Sequence, residues 1–203
     1  MESNETTLSK YFEKGFYFSC KKCGDCCRGL DGGEVYLYRE DIINLVHFLN
    51  KRAGKRRYSL KSFVREYVKV LNTTFYWKEP GAKRGKNYSF KTLGFRFTGK
   101  DEHCKFINEK NECTVHKSRP FQCRAFPIGW NMIVKNVRNF QKYTRDCPAL
   151  KESLNEEGKF YTREEIIDWI EKEYELIINL KELLMSFSQQ KYRKEFKTIL
   201  DVI

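Results

Sequence analysis

Apolar residues recur at helical intervals in three stretches of this chain and alternate with polar ones elsewhere, and the segments between are short and broken by glycine. Ile42, Leu45, Val46 and Leu49 mark the inward face of a helix over Glu40–Lys51. A second helix is predicted to start at Ser59, with Leu60, Phe63, Val64, Tyr67, Val68 and Leu71 as its buried face. The longest runs from about Arg163 to Phe187. There Ile166, Ile170, Tyr174, Ile177 and Lys181 follow at helical spacing, and Ile167, Ile178 and Leu184 widen the apolar stripe. Thr162 and Glu165 have the spacing of a capping box at its start, each side chain reaching the other's backbone amide. A further helix is expected from about Gln189 onward. Strand signals are shorter: Glu34–Leu37 after a glycine-rich turn over Arg28–Gly33, an alternating run over Asn87–Thr98, and a hairpin from Cys104 to Cys113 around Glu109-Lys110-Asn111. No internal repeat or low-complexity segment interrupts this pattern.

Charge divides the chain where the pattern changes. Residues 151–182 carry ten acidic and five basic side chains, whereas the whole chain of 203 residues has a formal net charge of +12. With 40% hydrophobic content the chain can build one ordinary core. The opening MESNETTLSK is polar and acidic and lacks a basic segment followed by an apolar one, so no secretory signal is expected. The apolar runs Trp130–Val134 and Leu176–Leu180 are too short to span a bilayer. A cytoplasmic location without membrane contact is the expectation.

The candidate chemistry lies in sulfur. Cys20, Cys23, Cys26 and Cys27 fall within eight residues, and Cys104, Cys113, Cys123 and Cys147 complete a set of eight. In a reducing compartment such clustering points to metal ligation rather than to four disulfides. Thiolates suit zinc and iron–sulfur centres. Consecutive side chains diverge, so Cys26 and Cys27 serve one site only if a tight local turn brings them together. Cys20, Cys23 and Cys26 with a remote Cys147-Pro148 have the spacing of four-iron cluster ligation, which leaves Cys27, Cys104, Cys113 and Cys123 for a second metal. Two interleaved four-sulfur zinc sites form the alternative, and the spacing favours at least one iron–sulfur cluster. Pro120 suits the first position of a short helical turn that would aim amides, Cys123's included, at anionic sulfur. Arg119 and Arg124 beside Cys123 are candidates to contact a bound cofactor or an anionic substrate, with charge compensation of thiolates as the simpler role. Asp25 within the first loop reads as a turn former. Of three histidines, His47 reads as a surface residue, and His103 and His116 lie near cysteines. The fold class that follows is α+β: a small cysteine-rich, metal-stapled domain over residues 1–150, with short strands and several helices, and a helical C-terminal extension over residues 151–203 packed on it.

C-x2-C-G-x-C-C-R-G at Cys20–Gly29, the helix start at Asp41-Ile42, Cys104-x8-Cys113, Arg119-Pro120-x2-Cys123-Arg124-x-Phe126-Pro127 and Cys147-Pro148 together resemble the CxxCxxCC (YkgJ-type) cysteine-cluster family, described as a zinc- or iron-chelating domain. The resemblance covers roughly Phe16 to Leu150. It is similar too to the cysteine-rich part of flagellin lysine N-methylases, in which an iron–sulfur cluster is implicated. The resemblance therefore implies bound iron–sulfur or zinc in support of redox, metal-handling or protein-methylation chemistry. In that family the His116 position is commonly aromatic or histidine, which implies packing or a bond to a ligand rather than ligation. Tyr38 departs from the threonine often found before the Asp41 helix, and the acidic tail lies outside the shared pattern.

Phosphate-loop, dinucleotide, HExxH and GxSxG motifs are absent, which argues against a self-contained hydrolase or dehydrogenase. Two basic runs stand out: Lys51, Arg52, Lys55, Arg56 and Arg57, and Lys83, Arg84 and Lys86 beside Tyr76, Trp77 and Tyr88. They suit either a solvated surface or nucleic acid. A zinc-stapled module that binds nucleic acid or protein is thus the alternative function, and an unidentified protein partner is compatible with both readings.

Overall fold

A computed structural model of the chain describes residues 7–28, 34–77, 83–98 and 103–189. Its strands in chain order are β1 (Phe16–Phe18), β2 (Tyr36–Leu37), β3 (Val68–Trp77), β4 (Lys86–Phe95), β5 (Phe97–Thr98), β6 (His103–Cys104) and β7 (Lys159–Tyr161). Its helices are α1 (Arg39–Ala53), α2 (Leu60–Tyr67), α3 (Phe121–Ala125), α4 (Asn131–Val134), α5 (Val137–Asp146), α6 (Pro148–Ser153) and α7 (Arg163–Gln189). Helices and small sheets in one chain make the fold α+β, as the sequence pattern predicts.

Two hydrophobic clusters carry these elements. In the first, α1 lays Ile42, Leu45, Val46 and Leu49 against Phe63 and Val64 of α2 and against Leu37, Val68 and Phe95 of the sheet β2-β4-β3. Helix α1 covers its expected span and ends at Gly54, whose φ of 63° lets the chain turn away. Ser59 caps α2 through Ser62, also as expected. That helix is shorter than the apolar spacing suggests, because Val68 and Leu71 belong to β3. The β-branched Val68, Val70, Thr73 and Thr74 favour a pleated strand, and β4 offers a complete antiparallel partner from Val68↔Phe95 to Trp77↔Lys86. Of the hairpin expected from Cys104 to Cys113 the turn is present, with the Asn108 side chain accepting the amides of Lys110 and Glu112 and Ile107 bridging to Cys113, but Cys104 pairs with Phe97 of β5 instead of across that turn.

The second cluster gathers the chain's two ends. Phe12, Phe16 and Phe18 pack with Ile133, Val134, Phe140 and Leu150, and with Ile166 and Ile170 of α7. Strand β1 pairs antiparallel with β7 through Phe16↔Tyr161 and Phe18↔Lys159. Gly15 permits this approach, since a Cβ there would lie 2.4 Å from the Phe160 ring, and its φ of 98° is disfavoured for other residues. Helix α7 starts where expected: the Thr162 amide donates to Glu165 Oε2 at 2.9 Å and the Glu165 amide to Thr162 Oγ1 at 3.2 Å. Tyr38, Phe121 and Ala125 with Trp130 and Trp169 form a smaller apolar group of their own. The helix expected from Gln189 onward and the glycine-rich positions 29–33 lie outside the described residues. No described helix is long and apolar enough to cross a membrane.

Phe140 is 1% exposed and its ring meets those of Tyr11, Phe12 and Phe16 at 4.3, 5.4 and 5.7 Å. Phe140→Ala should lower stability by about 3–5 kcal/mol in urea unfolding. Met132→Ala, at a residue 49% exposed, should change it by less than about 0.5 kcal/mol.

Candidate metal centre

Leaving β1, the chain enters the loop that carries four of the eight sulfurs. Lys22 and Gly24 both take positive φ, 58° and 82°, and residues 25–28 close as a 3-10 turn. The amide of Cys27 donates to the carbonyl of Gly24 at 2.9 Å. This is the tight turn that adjacent cysteines need, and it sets Cys26 and Cys27 near enough to shift each other's pKa. Cys27 in turn meets Cys113. Gly24 presses the loop onto the 108–112 turn so closely that a Cβ would lie 2.4 Å from the Asn111 carbonyl oxygen. Arg28 adds a 2.5 Å bond to Asn111 Oδ1.

The remaining sulfurs arrive on separate elements: Cys104 on β6, Cys113 after the turn, Cys123 in α3, and Cys147 between α5 and α6. Backbone groups lock these elements to α1 and β2. The buried Asp41 carboxylate accepts the amides of Tyr38 at 3.1 Å and Phe121 at 2.8 Å, joining the starts of α1 and α3. Gln122 accepts the Tyr36 amide and donates to the Glu34 carbonyl at 3.1 Å, and Trp130 Nε1 donates to the Gln122 carbonyl at 2.9 Å. Pro120 therefore stands just before α3 rather than inside it, and the Phe121 amide goes to a carboxylate, not to a sulfur. Lys21 forms an ion pair with Glu152 of α6, fastening the first loop beside Cys147.

A common local geometry recurs at the cysteines. The carbonyls of Cys104, Cys113 and Cys147 accept the amides of Ile107, His116 and Leu150 at 3.1, 3.2 and 3.1 Å. Such turns aim the amide two residues on at the sulfur. Lys22 N lies 3.4 Å from Cys20 Sγ, and backbone amides at Asp25, Phe106, Val115, and Leu150 with Ala149, pull the pKa of Cys23, Cys104, Cys113 and Cys147 downward. An amide bonded to sulfur favours the thiolate.

Burial works against those amides. Desolvation pushes the thiols of Cys23 and Cys104 up to about 11 and raises Cys123 and Cys147 as well. The Cys27 thiol pulls Cys26 and Cys113 downward, and donating to them raises its own. Arg119 supplies positive charge to Cys26, Cys113 and Cys123, with its Nη1 3.8 Å from Cys20 Sγ. Arg124 turns elsewhere: its Nε donates to the Arg119 carbonyl at 3.1 Å and its guanidinium lies over the Phe121 ring. It positions Arg119 and offsets Asp41. His47 is exposed, as expected. His116 lies near Arg119 and Lys22, and desolvation first and those cations second push its pKa down.

All eight cysteines are free; Cys20, Cys23 and Cys26 are exposed residues, Cys104 is buried and the others are half-buried. Among the described residues no three His, Cys, Asp or Glu side chains already stand as a finished coordination shell. The donor chemistry nonetheless fits a soft or borderline metal: only sulfur converges here, with amides and one guanidinium turned toward it. Sequence patterns singled out the eight cysteines and Arg119 as candidates, and the structure places Arg119 Nη1 3.8 Å from Cys20 Sγ. They missed the roles of Gly24, Asn111 and Gln122, and marked Asp41 only as a helix start.

A family model named CxxCxxCC and described as "Putative zinc- or iron-chelating domain" matches residues 19–148. No curated protein and no solved structure matches the chain.

Two outcomes follow from this geometry. Thiols held above their ordinary value are protonated at pH 7 in the metal-free protein, so ion binding must expel their protons. Affinity should then rise with pH and fall as pH drops, with about two or more protons released per ion between about pH 6 and 8. Calorimetry of zinc binding in buffers of different ionisation enthalpy measures that release. Asp41→Ala strands two buried amides and should cost about 1–3 kcal/mol for each in urea unfolding.

Proposed function

Since the chain belongs to the CxxCxxCC family, we propose that its cysteines form one polynuclear thiolate centre, with at least one iron–sulfur cluster, that serves electron transfer or metal handling. The observation that carries this reading is the position of Cys26. Its sulfur acts electrostatically on Cys23, Cys27, Cys104, Cys123 and Cys147 and is acted on by Cys113, which supports sulfurs that share one region over two isolated quartets. Such crowding of anionic donors suits several metal ions sharing one region better than two remote mononuclear sites.

A bound cluster would supply one-electron redox chemistry. The chain's own groups set the conditions for it. Amides of Lys22, Asp25, Phe106, Val115 and Ala149 stabilise negative charge on sulfur. Arg119 adds a fixed cation, and Cys20 and Cys23 keep one edge of the centre at the surface. An exposed edge is what exchange of electrons or metal with another molecule requires. A second reading rests on Cys27, Cys104 and Cys113, which lie against the first hydrophobic cluster. Shielded sulfurs of this kind suit structural zinc, either beside a cluster or in a centre made of zinc alone.

The test is metal and labile-sulfide analysis with a visible spectrum on protein purified without oxygen. About four irons and four sulfides per chain, with a broad blue absorbance bleached by reductant, is the expected result. A colourless protein with stoichiometric zinc and no labile sulfide would overturn the cluster and leave the zinc reading standing.

A further inference from the structure

We propose that the surface formed by the end of α1, the following loop and α2 is a docking site for the phosphate backbone of nucleic acid. The proposal does not depend on which metal the centre holds. Residues 51–57 carry five cations, and α2 adds Lys61 and Arg65 four residues apart on one helical face; Glu66 is the single acid from 51 to 66. Each of these seven cationic residues is exposed. None of the seven forms an ion pair among the described residues.

Local structure accounts for part of this charge. Lys51 and Arg52 occupy the last turn of α1 and Arg65 the last turn of α2, where cations offset the helix dipole. Lys55, Arg56, Arg57 and Lys61 have no such role. None of these four is matched by an acidic side chain among the described residues.

The surface is also held in place. Arg52 Nη1 donates to the Thr114 carbonyl at 2.8 Å, next to Cys113. Asn50 Oδ1 accepts the amides of Arg57 and Tyr58 at 2.8 Å each, and Asn50 Nδ2 donates to the Tyr58 carbonyl, so the loop is fixed by its own side chain. Arg57 stacks over the Tyr58 ring at 5.3 Å. A fixed array of cations gives up less conformational entropy on meeting phosphates than a floppy one does.

Apolar anchors decide between polyanions. Among the described residues the exposed large hydrophobics are Val70, Met132, Leu154 and Phe160, and none lies within residues 51–66. A membrane-surface helix inserts apolar side chains, and a protein interface is built on buried aromatic or aliphatic anchors. A purely cationic face lacks both and suits sequence-independent contact with a phosphate backbone.

The test is fluorescence anisotropy of a labelled short duplex DNA of arbitrary sequence, with protein purified without oxygen, between about 50 and 200 mM salt. About five phosphate contacts predict that log K falls against log salt with a slope of about −4 to −5. K55Q/R56Q/R57Q should weaken binding by about tenfold or more near 100 mM salt and make the slope shallower by about 2 to 3. K61Q/R65Q, outside the Asn50-braced loop, should act in the same direction. K14Q/K91Q/K151Q removes as many exposed charges elsewhere and should change binding by less than about threefold, the size of a purely nonlocal effect. Equal loss in the control variant, no binding by wild type, or binding to anionic vesicles in preference to duplex would each overturn the proposal.

Discussion

How Cys26, Cys27 and Cys113 share protons governs the centre of this molecule. The thiol of Cys27 shifts the pKa of both neighbours downward, yet it has one proton and can serve only one sulfur at a time. Three sulfurs packed together with one guanidinium close by are short of positive charge. Two ordinary remedies are available to a protein, protonation or oxidation to a disulfide. The first leaves thiols, which are weak hydrogen-bond formers, and all eight cysteines here are free of the second. A metal ion is the third remedy, since it replaces several protons with one compact charge and uses every sulfur as a donor.

The sulfurs converge because two separate cores present them. Cys27, Cys104 and Cys113 lean on the cluster built by α1, α2 and the three-stranded sheet, whereas Cys147 leans on the cluster built from Phe12, Phe16, Phe140 and α7. Asp41 and Gln122 tie the segment that bears Cys123 to α1 and β2 by backbone bonds. Burying a carboxylate is costly, and burial does raise the Asp41 pKa, but the two amides it accepts repay the desolvation in part. Separate elements thus carry cysteines whose spacing in sequence exceeds one hundred residues.

Much of this was legible without coordinates, for physical reasons that differ by element. The faces of α1 and the capped start of α7 emerge from short-range periodicity and from a two-residue hydrogen-bonded box, both local properties. The end of α2 was not legible, because Val68 and Leu71 continue a helical spacing while also fitting a strand, and only the presence of β4 as a ten-residue partner decides between them. Strand β7 has three residues and pairs with β1 across more than one hundred and forty positions, so no local pattern announces it. The eight cysteines were legible as a set from spacing alone. The closeness of Cys26 and Cys27 was not, since it depends on the left-handed residues Lys22 and Gly24 and on a tight turn over residues 25–28 that no spacing announces.

Charge placement separates the two surfaces that matter. A chain with a net charge of +12 could have surrounded its thiolates with lysine and arginine. Instead the described cations that act on several sulfurs reduce to Arg119, held by its carbonyl bond to Arg124, while Lys21 is engaged by Glu152. Backbone amides do most of the remaining work at the sulfurs, and amides have the advantage of a fixed direction and no counterion of their own. The densest run of basic side chains therefore lies elsewhere, over α1 and α2, braced by Asn50 and Arg52. Neutralising thiolates does not explain that run, and a long-range field acting on something outside the molecule does.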